Sequence, residues 1–537
     1  MTDVPGRAGR WAQRHWRHIG IGMVMVWMAR SVQEAGHGWG DDFALYINQA
    51  RGLADGTLWD VVADNRFALS NSAYATFSPV AYPWVLPLLL APIVTLFGID
   101  YPMLKLVGTF AFAASGVAAM ILTGRRAGRV AAGLVSAMVV LNPWFLRATG
   151  AVLSDLLFMA LVLIAIAALD RAIDTGALVT GRLRGQASRP VVIAVVVIAL
   201  AVHTRREGLA LAAVLAAAQF AAARAGTADR PTPWRPWVLL VAIAGGLHII
   251  LPAPLLSAMR IGDGDRSRML DNLIWYREPF AELIGLKDQG DSPIEWLGSP
   301  TIGLLLLAAV VSLAVLGSID AVVSAARRTD VIDLHVVAAA VALAVVVLAP
   351  PYRYQRYIFV FVPLLLILAV RGMDLLGRAA RSRVVPVVLA LLVLTPLVVE
   401  QSRQTVNAVR YHRAHDFVQW GPEHPEAREL FDAVVAFTDQ RDVVVFAQAR
   451  TMNLYTGRLS IQGNDRRMLL ERGDWYAMAR DSDYIQVPLQ AADAEELGLQ
   501  AVWSNPRFIL WRIPERPLTV VDPWPSGPRL TGDAELP

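Results

Sequence analysis

Apolar runs of membrane-spanning length recur along this chain, and they constrain it more than any motif does. About 20 consecutive apolar residues cross a bilayer as a helix. Runs of this kind fall near residues 19–35, 102–123, 130–146, 155–171, 190–204, 207–224, 236–256, 300–319, 333–350, 357–372 and 384–400. With 55% of its 537 residues hydrophobic, the chain reads as a multi-pass membrane protein. Segment 80–98, VAYPWVLPLLLAPIVTLFG, is also apolar, but Pro83, Pro87 and Pro92 interrupt a regular span. Loop charge decides how it is placed. Arginines favour cytoplasmic loops, and Arg125, Arg126, Arg129, Arg182, Arg184, Arg189, Arg327, Arg328, Arg378, Arg381 and Arg383 all land inside under one condition. The N-terminus must be cytoplasmic and 80–98 must be re-entrant or interfacial. Eleven spans and an outside C-terminus follow.

The net charge is only +4, and the basic residues are arginines except for lysines at 105 and 287. That distribution is a topology signal and excludes a nucleic-acid surface. The absence of cysteine excludes disulfides and thiolate metal sites. Arg7, Arg10, Arg14 and Arg17 precede the first run without a small-residue cleavage site after it, so an uncleaved first span is expected. The Arg and Ala bias suggests a GC-rich bacterial genome, which places the chain in a bacterial plasma membrane.

The chain divides into a membrane unit over 1–400, a linker over 401–422, a soluble unit over 423–514 and a Pro-rich tail over 515–537. In the soluble unit PEARELFDAVVAFTDQ has helical periodicity, DVVVFAQ and SDYIQV read as strands, and AADAEELGL reads as a helix. LQAVWSNPRFILWRI reads as a hairpin around Asn505-Pro506. The expected fold is an all-α polytopic membrane bundle of eleven transmembrane helices, with interfacial helices in the first outer loop. A small C-terminal extracytoplasmic α/β domain follows it.

Charged residues gather at the outer ends of these runs. GWGDDFALYINQARGLADG follows the first span, and its adjacent acids Asp41 and Asp42 sit at a membrane surface, where desolvation is costly. Tyr46 follows at helical spacing. An exposed turn explains the pair by itself; a carboxylate in a low-dielectric pocket also suits general-base work. Asp155 opens a span in LSDLLFMALVL, where it can cap the helix or face the same site. In AVHTRREGLAL, His203, Arg205, Arg206 and Glu207 occupy an outer turn, against the positive-inside trend. Either an internal Arg–Glu pair or a phosphate satisfies them. In PPYRYQRYIFVFVPLLL, Arg353 and Arg356 are interleaved with Tyr352, Tyr354 and Tyr357, suiting an anionic ligand at the lipid boundary as well as an aromatic belt. Lys105 is a weaker candidate, since snorkelling accounts for it equally well. The loop 257–298 holds Asp263, Asp265, Asp271, Glu278 and Glu282 without EF-hand spacing. No cofactor is certain and no metal ligand set is named, although a divalent cation is compatible with so many acids.

In this order, DDFALY, LSD, RREGLAL and RYIFVFVPLL resemble the GT-C superfamily of polyprenyl-phosphate-sugar-dependent glycosyltransferases, such as the protein O-mannosyltransferases and lipid A aminoarabinose transferases. YTGR and NPRFILWRI look similar to the periplasmic tails of bacterial members. The resemblance implies an inverting transfer of a monosaccharide from a polyprenyl-phosphate donor to a hydroxyl of a glycan, lipid or protein. It implies that Asp41 or Asp42 is the base, that Asp155 is the second-loop acid, and that Arg356 and Arg353 lie near the donor phosphate. The aminoarabinose transferases carry Lys-Pro-Pro where this chain reads FSPVAYP, which argues against that subgroup. The rival readings are a transporter or flippase of envelope lipids, which favours inverted repeats and mid-span charges, and a non-catalytic envelope-assembly protein.

Overall fold

Apolar helices dominate the fold because a helix satisfies its own backbone polar groups and leaves an apolar surface for lipid. The computed structural model describes residues 7–72, 79–180, 185–224, 233–251, 266–287, 293–327, 333–350, 353–415, 417–418, 420–463, 466–480 and 491–514. Among the described residues, six helices are long and apolar enough to cross a membrane: Tyr101–Arg126, Asp155–Asp174, Arg206–Arg224, Pro300–Arg327, Gln355–Ala379 and Val384–Ala414. Shorter apolar helices span Val85–Phe97, Gly128–Val140, Gln186–Val202, Trp234–Ile250 and Leu334–Leu348, and Arg7–Ser31 covers the first apolar run. The chain is built as a multi-pass membrane protein. The RRAGR segment joins two antiparallel arms, with Gly128 at φ 76° in the reversal.

The proline-bearing segment forms a 13-residue helix, Val85–Phe97. At 1.5 Å per residue it is roughly 20 Å long, short of the ~30 Å hydrocarbon layer. It packs on the Asp42–Asp55 helix of the same loop, burying Phe43, Ile47, Leu86 and Leu90 together.

The 20-residue helix Asp155–Asp174 places its two terminal acids roughly 30 Å apart. Its far end carries a buried ion network. Arg126 lies between Asp170 at 2.9 Å and Asp333 at 2.5 Å. Arg371 joins Asp333 to Asp320, the latter at 2.8 Å. The near end carries Asp155 and a cavity. Two expected basic residues of the far end, Arg182 and Arg184, lie outside the described residues, as does Arg328.

Val384–Ala414 runs on to residue 414, so the first half of the stretch read as a linker is helical. Beyond it a five-stranded sheet has the order β2-β1-β3-β5-β4, with β1 (Val443–Val445), β2 (Leu459–Ile461), β3 (Trp475–Ala479), β4 (Gln500–Ser504) and β5 (Phe508–Arg512). β1 pairs in parallel with β2 and β3, while β5 is antiparallel to β3 and β4. Asn505 closes the β4–β5 hairpin by accepting from Phe508 N at 2.8 Å. β3 gave no alternation in the sequence because both of its faces are buried. The strand expected in SDYIQV and the tail 515–537 lie outside the described residues.

The sheet unit is fixed to the first loop by bonds between distant parts of the chain. Thr451 Oγ1 donates to Gly40 O at 2.7 Å, Asn48 Nδ2 to Asn453 Oδ1 at 3.0 Å, and Arg51 to Leu454 O at 3.1 Å. The Tyr101 and Tyr455 hydroxyls lie 2.7 Å apart.

Candidate active site

Chain segments of three kinds, four in all, meet around a cavity of about 330 Å³. The first is the start of the Asp42–Asp55 helix, whose opening turn carries the acid pair. A carboxylate there is favoured by the helix dipole. The second is the start of Asp155–Asp174, with Asp155 in the first turn beside Ser154. The third kind of segment occurs twice. Arg205 and Tyr354 are extended residues, each followed by a short 3₁₀ turn, Arg206–Ala210 and Gln355–Ile358, leading into a span. Tight turns at helix starts present side chains sideways, here into the cavity. Gly208 permits the first of them, since a Cβ on it would lie 2.5 Å from the Ala201 carbonyl.

Two acid–arginine clusters result. Asp42 accepts from Arg356 at 2.5 Å on one oxygen and from the Tyr82 hydroxyl at 2.5 Å on the other. Asp155 is paired with Arg205, whose Nη2 also reaches Glu207 Oε1 at 3.2 Å. Asp155 and Arg205 are only 5% and 13% exposed, so removing one partner strands a buried charge. The Tyr357 ring lies between the clusters, 4.9 Å from the Arg205 guanidinium and 5.7 Å from that of Arg356. Tyr46 stacks on Tyr82 at 4.4 Å, and its hydroxyl lies 2.9 Å from Ser154 Oγ. The Arg356 Nε–H is buried without an acceptor among the described residues.

The two adjacent acids are unlike each other. Burial pushes the Asp41 carboxyl up to about 6; Asp42 adds to this, while Arg450 and the backbone N–H groups of Arg450 and Thr451 oppose it. Burial also works against ionisation of Asp42. There the Arg356 charge and the Tyr82 and Arg356 hydrogen bonds prevail and hold it below the usual carboxylate range. Burial and the charge of Asp42 keep the Tyr82 phenol protonated, as a donor.

Of the residues singled out in the sequence, Asp41, Asp42, Tyr46, Asp155, Arg205, Arg206, Glu207, Tyr354, Arg356 and Tyr357 line this one cavity. Three others do not. Lys105 is buried and donates to the Glu34 and Gly36 carbonyls at 2.7 and 2.6 Å. The His203 ring meets the Ala244 carbonyl at 2.9 Å. Arg353 donates to Asn272 Oδ1 at 2.7 Å. Tyr352, Asp263 and Asp265 lie outside the described residues. Glu278 pairs with Lys287 at 2.8 Å, away from the cavity. No cluster of three or more potential metal-ligating side chains occurs among the described residues.

Tyr82, Arg450 and Gln462 line the cavity and were not singled out. Tyr82 lies in FSPVAYP, whose prolines drew attention instead. Arg450 carries no local signal, because an arginine in a soluble amphipathic helix is ordinary.

No protein-family model and no curated protein sequence matches this chain. Solved structures do. ArnT from Cupriavidus metallidurans bound to undecaprenyl phosphate is similar at a TM-score of 0.54 and 13% identity, over 93% of this chain and 98% of that one. The apo form of the same protein gives 0.53 and 14%, over 94% and 98%. The archaeal oligosaccharyltransferase AglB from Archaeoglobus fulgidus, in complex with an inhibitory peptide and a dolichol-phosphate, gives 0.48 and 12%, over 88% and 70%. This chain shares the fold of the ArnT structure along nearly its whole length.

Proposed function

We propose that this protein is a membrane glycosyltransferase that moves a monosaccharide from a polyprenyl-phosphate donor to an acceptor hydroxyl on a glycan, lipid or protein, with inversion. The observation that carries the reading is the cavity itself, where a first-loop acid pair faces arginines delivered by two separate span-opening turns. The undecaprenyl phosphate held by the ArnT structure of the same fold supports this donor class.

The roles follow from the pairings. Asp41 is the base, because burial pushes its carboxyl up to about 6 and it is not tied to an arginine side chain by a hydrogen bond among the described residues. It takes the acceptor's proton as the acceptor oxygen attacks the anomeric carbon. The bond from that carbon to the phosphate oxygen breaks, and the lipid phosphate leaves with its electron pair. Arg356, whose buried Nε–H has no acceptor among the described residues, and Arg205 and Arg206 stabilise the charge on the leaving group. Asp42 and Asp155 orient Arg356 and Arg205. A phosphate needs little acid assistance, so electrostatic stabilisation carries most of the rate.

The cavity opens on the extracytoplasmic face of a bacterial plasma membrane, with the N-terminus cytoplasmic and the unit at 423–514 outside. The gathering of Arg125, Arg126 and Arg378 at the opposite end of the bundle supports this orientation. Transfer from synthetic polyprenyl-phosphate sugars by purified Asp41→Asn and Asp42→Asn variants tests the reading. Asp41→Asn is expected to lose about a hundredfold or more in kcat. Asp42→Asn, which frees Arg356, is expected to raise the donor KM. Unimpaired transfer in both variants rejects the assignment.

A further inference from the structure

One wall of the cavity is not built by the membrane bundle. Ala449, Arg450 and Gln462 reach it from the C-terminal unit. Arg450 is only 6% exposed, and arginines are seldom buried this deeply without an ionic partner. Among the described residues its hydrogen bonds nonetheless go to neutral acceptors. Nε donates to Asn65 Oδ1 at 2.8 Å, Nη2 to Pro79 O at 3.1 Å, and Nη1 reaches the Tyr82 hydroxyl at 3.5 Å. The guanidinium stands 5.5 Å from the Tyr82 ring centroid, and the Arg450 backbone N–H donates to Asp41 Oδ1 at 3.2 Å. A positive charge held by neutral acceptors in a buried place acts on the nearest carboxylates, here Asp41 and Asp42. Docking does not require that charge. The unit is already held by uncharged acceptors and hydroxyls at Gly40, Asn48, Leu454 and Tyr101.

We propose that Arg450 is a positioning residue for the sugar transfer, so that the C-terminal unit completes the reaction centre instead of merely resting against it. The guanidinium fixes Tyr82, which holds Asp42, and the same residue's backbone holds Asp41. Base and phosphate-side anchor are thereby kept at one separation. This inference rests on the transferase reading above.

The groups acting on Asp41 can be named by element. Asp42 shares its helix, and Arg450 and the Thr451 N–H come from the C-terminal unit; Tyr82 of the first loop bonds Asp42 and not Asp41. The bundle side presents Asp155, Arg205, Arg206, Glu207, Arg356 and Tyr357. Arg450 is the cation that most lowers the proton affinity of Asp41. Removing its charge raises that affinity, so the base loses its proton only at higher pH.

The test uses the full-length protein in detergent or nanodiscs, with a synthetic polyprenyl-phosphate sugar, between about pH 5 and pH 9. Arg450→Gln is expected to lower kcat about tenfold at neutral pH and to move the acid limb of the profile upward by roughly one pH unit. Arg450→Lys, which keeps the charge, is expected to restore the limb while recovering kcat only in part. Arg51→Ala removes a docking bond outside the cavity and is expected to change neither. If Arg450→Gln does not accumulate, Asn65→Ala loosens the same guanidinium and is expected to shift the limb part of the way. An Arg450→Gln or Asn65→Ala protein with the wild-type limb and kcat overturns the proposal and leaves the transferase reading standing. An Arg51→Ala protein that reproduces Arg450→Gln also overturns it, by showing that docking alone matters. A wild-type protein that transfers nothing from any such donor overturns both.

Discussion

A methyl group at Gly372 measures how tightly the bundle behind Arg356 is packed. Gly372 lies on the Phe361–Ala379 helix and Gly317 on Pro300–Arg327. A Cβ at 372 would stand 2.1 Å from the Leu313 carbonyl oxygen, and one at 317 would stand 2.0 Å from that of Leu368. Ordinary contact begins near 3.4 Å, so the two helices would have to part by about 1.3 Å. The Arg371–Asp320 bond, 2.8 Å long between the same helices, would stretch to about 4 Å and cease to be a hydrogen bond. Overpacking costs ~1–3 kcal/mol, and alanine's better helix propensity returns ~1 kcal/mol. With the loosened buried ion pair added, the expected loss is about 2 kcal/mol. Thermal unfolding of full-length Gly372→Ala in detergent reads it. Gly246→Ala is the control, because a Cβ there meets nothing within 4 Å; its midpoint should stay or rise slightly. One separation relieves both clashes, so Gly317→Ala combined with Gly372→Ala should cost clearly less than the two single losses together. A Gly372→Ala midpoint matching the control, or strictly additive losses, refutes the close-packing argument.

Tyr82→Phe removes the hydroxyl 2.5 Å from Asp42 and should lower kcat/KM for transfer about tenfold, with binding of the donor read separately through KM. Arg205→Lys keeps the charge but cannot span Asp155 and Glu207 together; a loss of about 2 kcal/mol in thermal unfolding is expected, and an unchanged midpoint contradicts it. Asp42, Asp155 and Glu207 are each engaged by a guanidinium, so chelation by EDTA should leave the transfer rate unchanged. A loss restored by Mg²⁺ or Mn²⁺ would show that the carboxylates release their arginines to a metal.

The apolar helices were legible because each apolar run declares itself without reference to the rest of the chain. The acid pair, Asp155, the Arg205–Glu207 turn and Arg356 were legible for a related reason: a charge at the end of such a run is expensive and so draws attention. That signal does not say what the charge serves. Lys105 and His203 stand at span ends too, yet the structure turns them onto backbone carbonyls at Glu34, Gly36 and Ala244. The Glu34 and Gly36 carbonyls lie past a helix end, and carbonyls freed there need donors as much as a ligand does. Arg450 shows the opposite failure. It contacts Asp41 across 409 positions, and nothing within its own soluble helix marks it as different from its neighbours. Sheet pairing was similarly opaque at β3, where burial of both faces removes the alternation that identifies a strand.

The charges lining the cavity give the proposed base a reason to share one enclosure with the arginines. Asp41, Asp42, Asp155 and Glu207 face Arg205, Arg206, Arg356 and Arg450, so the lining is close to neutral when the acids are ionised. In the proposed transfer the donor enters as a phosphodiester with one negative charge, and the lipid phosphate departs with a second. The acceptor's proton meanwhile neutralises Asp41. Total charge within the walls is therefore the same before and after the sugar moves; only its position changes, from the base toward Arg356 and Arg205. Displacing charge over a few ångströms between fixed partners is far cheaper than creating it. A base set elsewhere in the loop would lose that compensation, even with every arginine still in place.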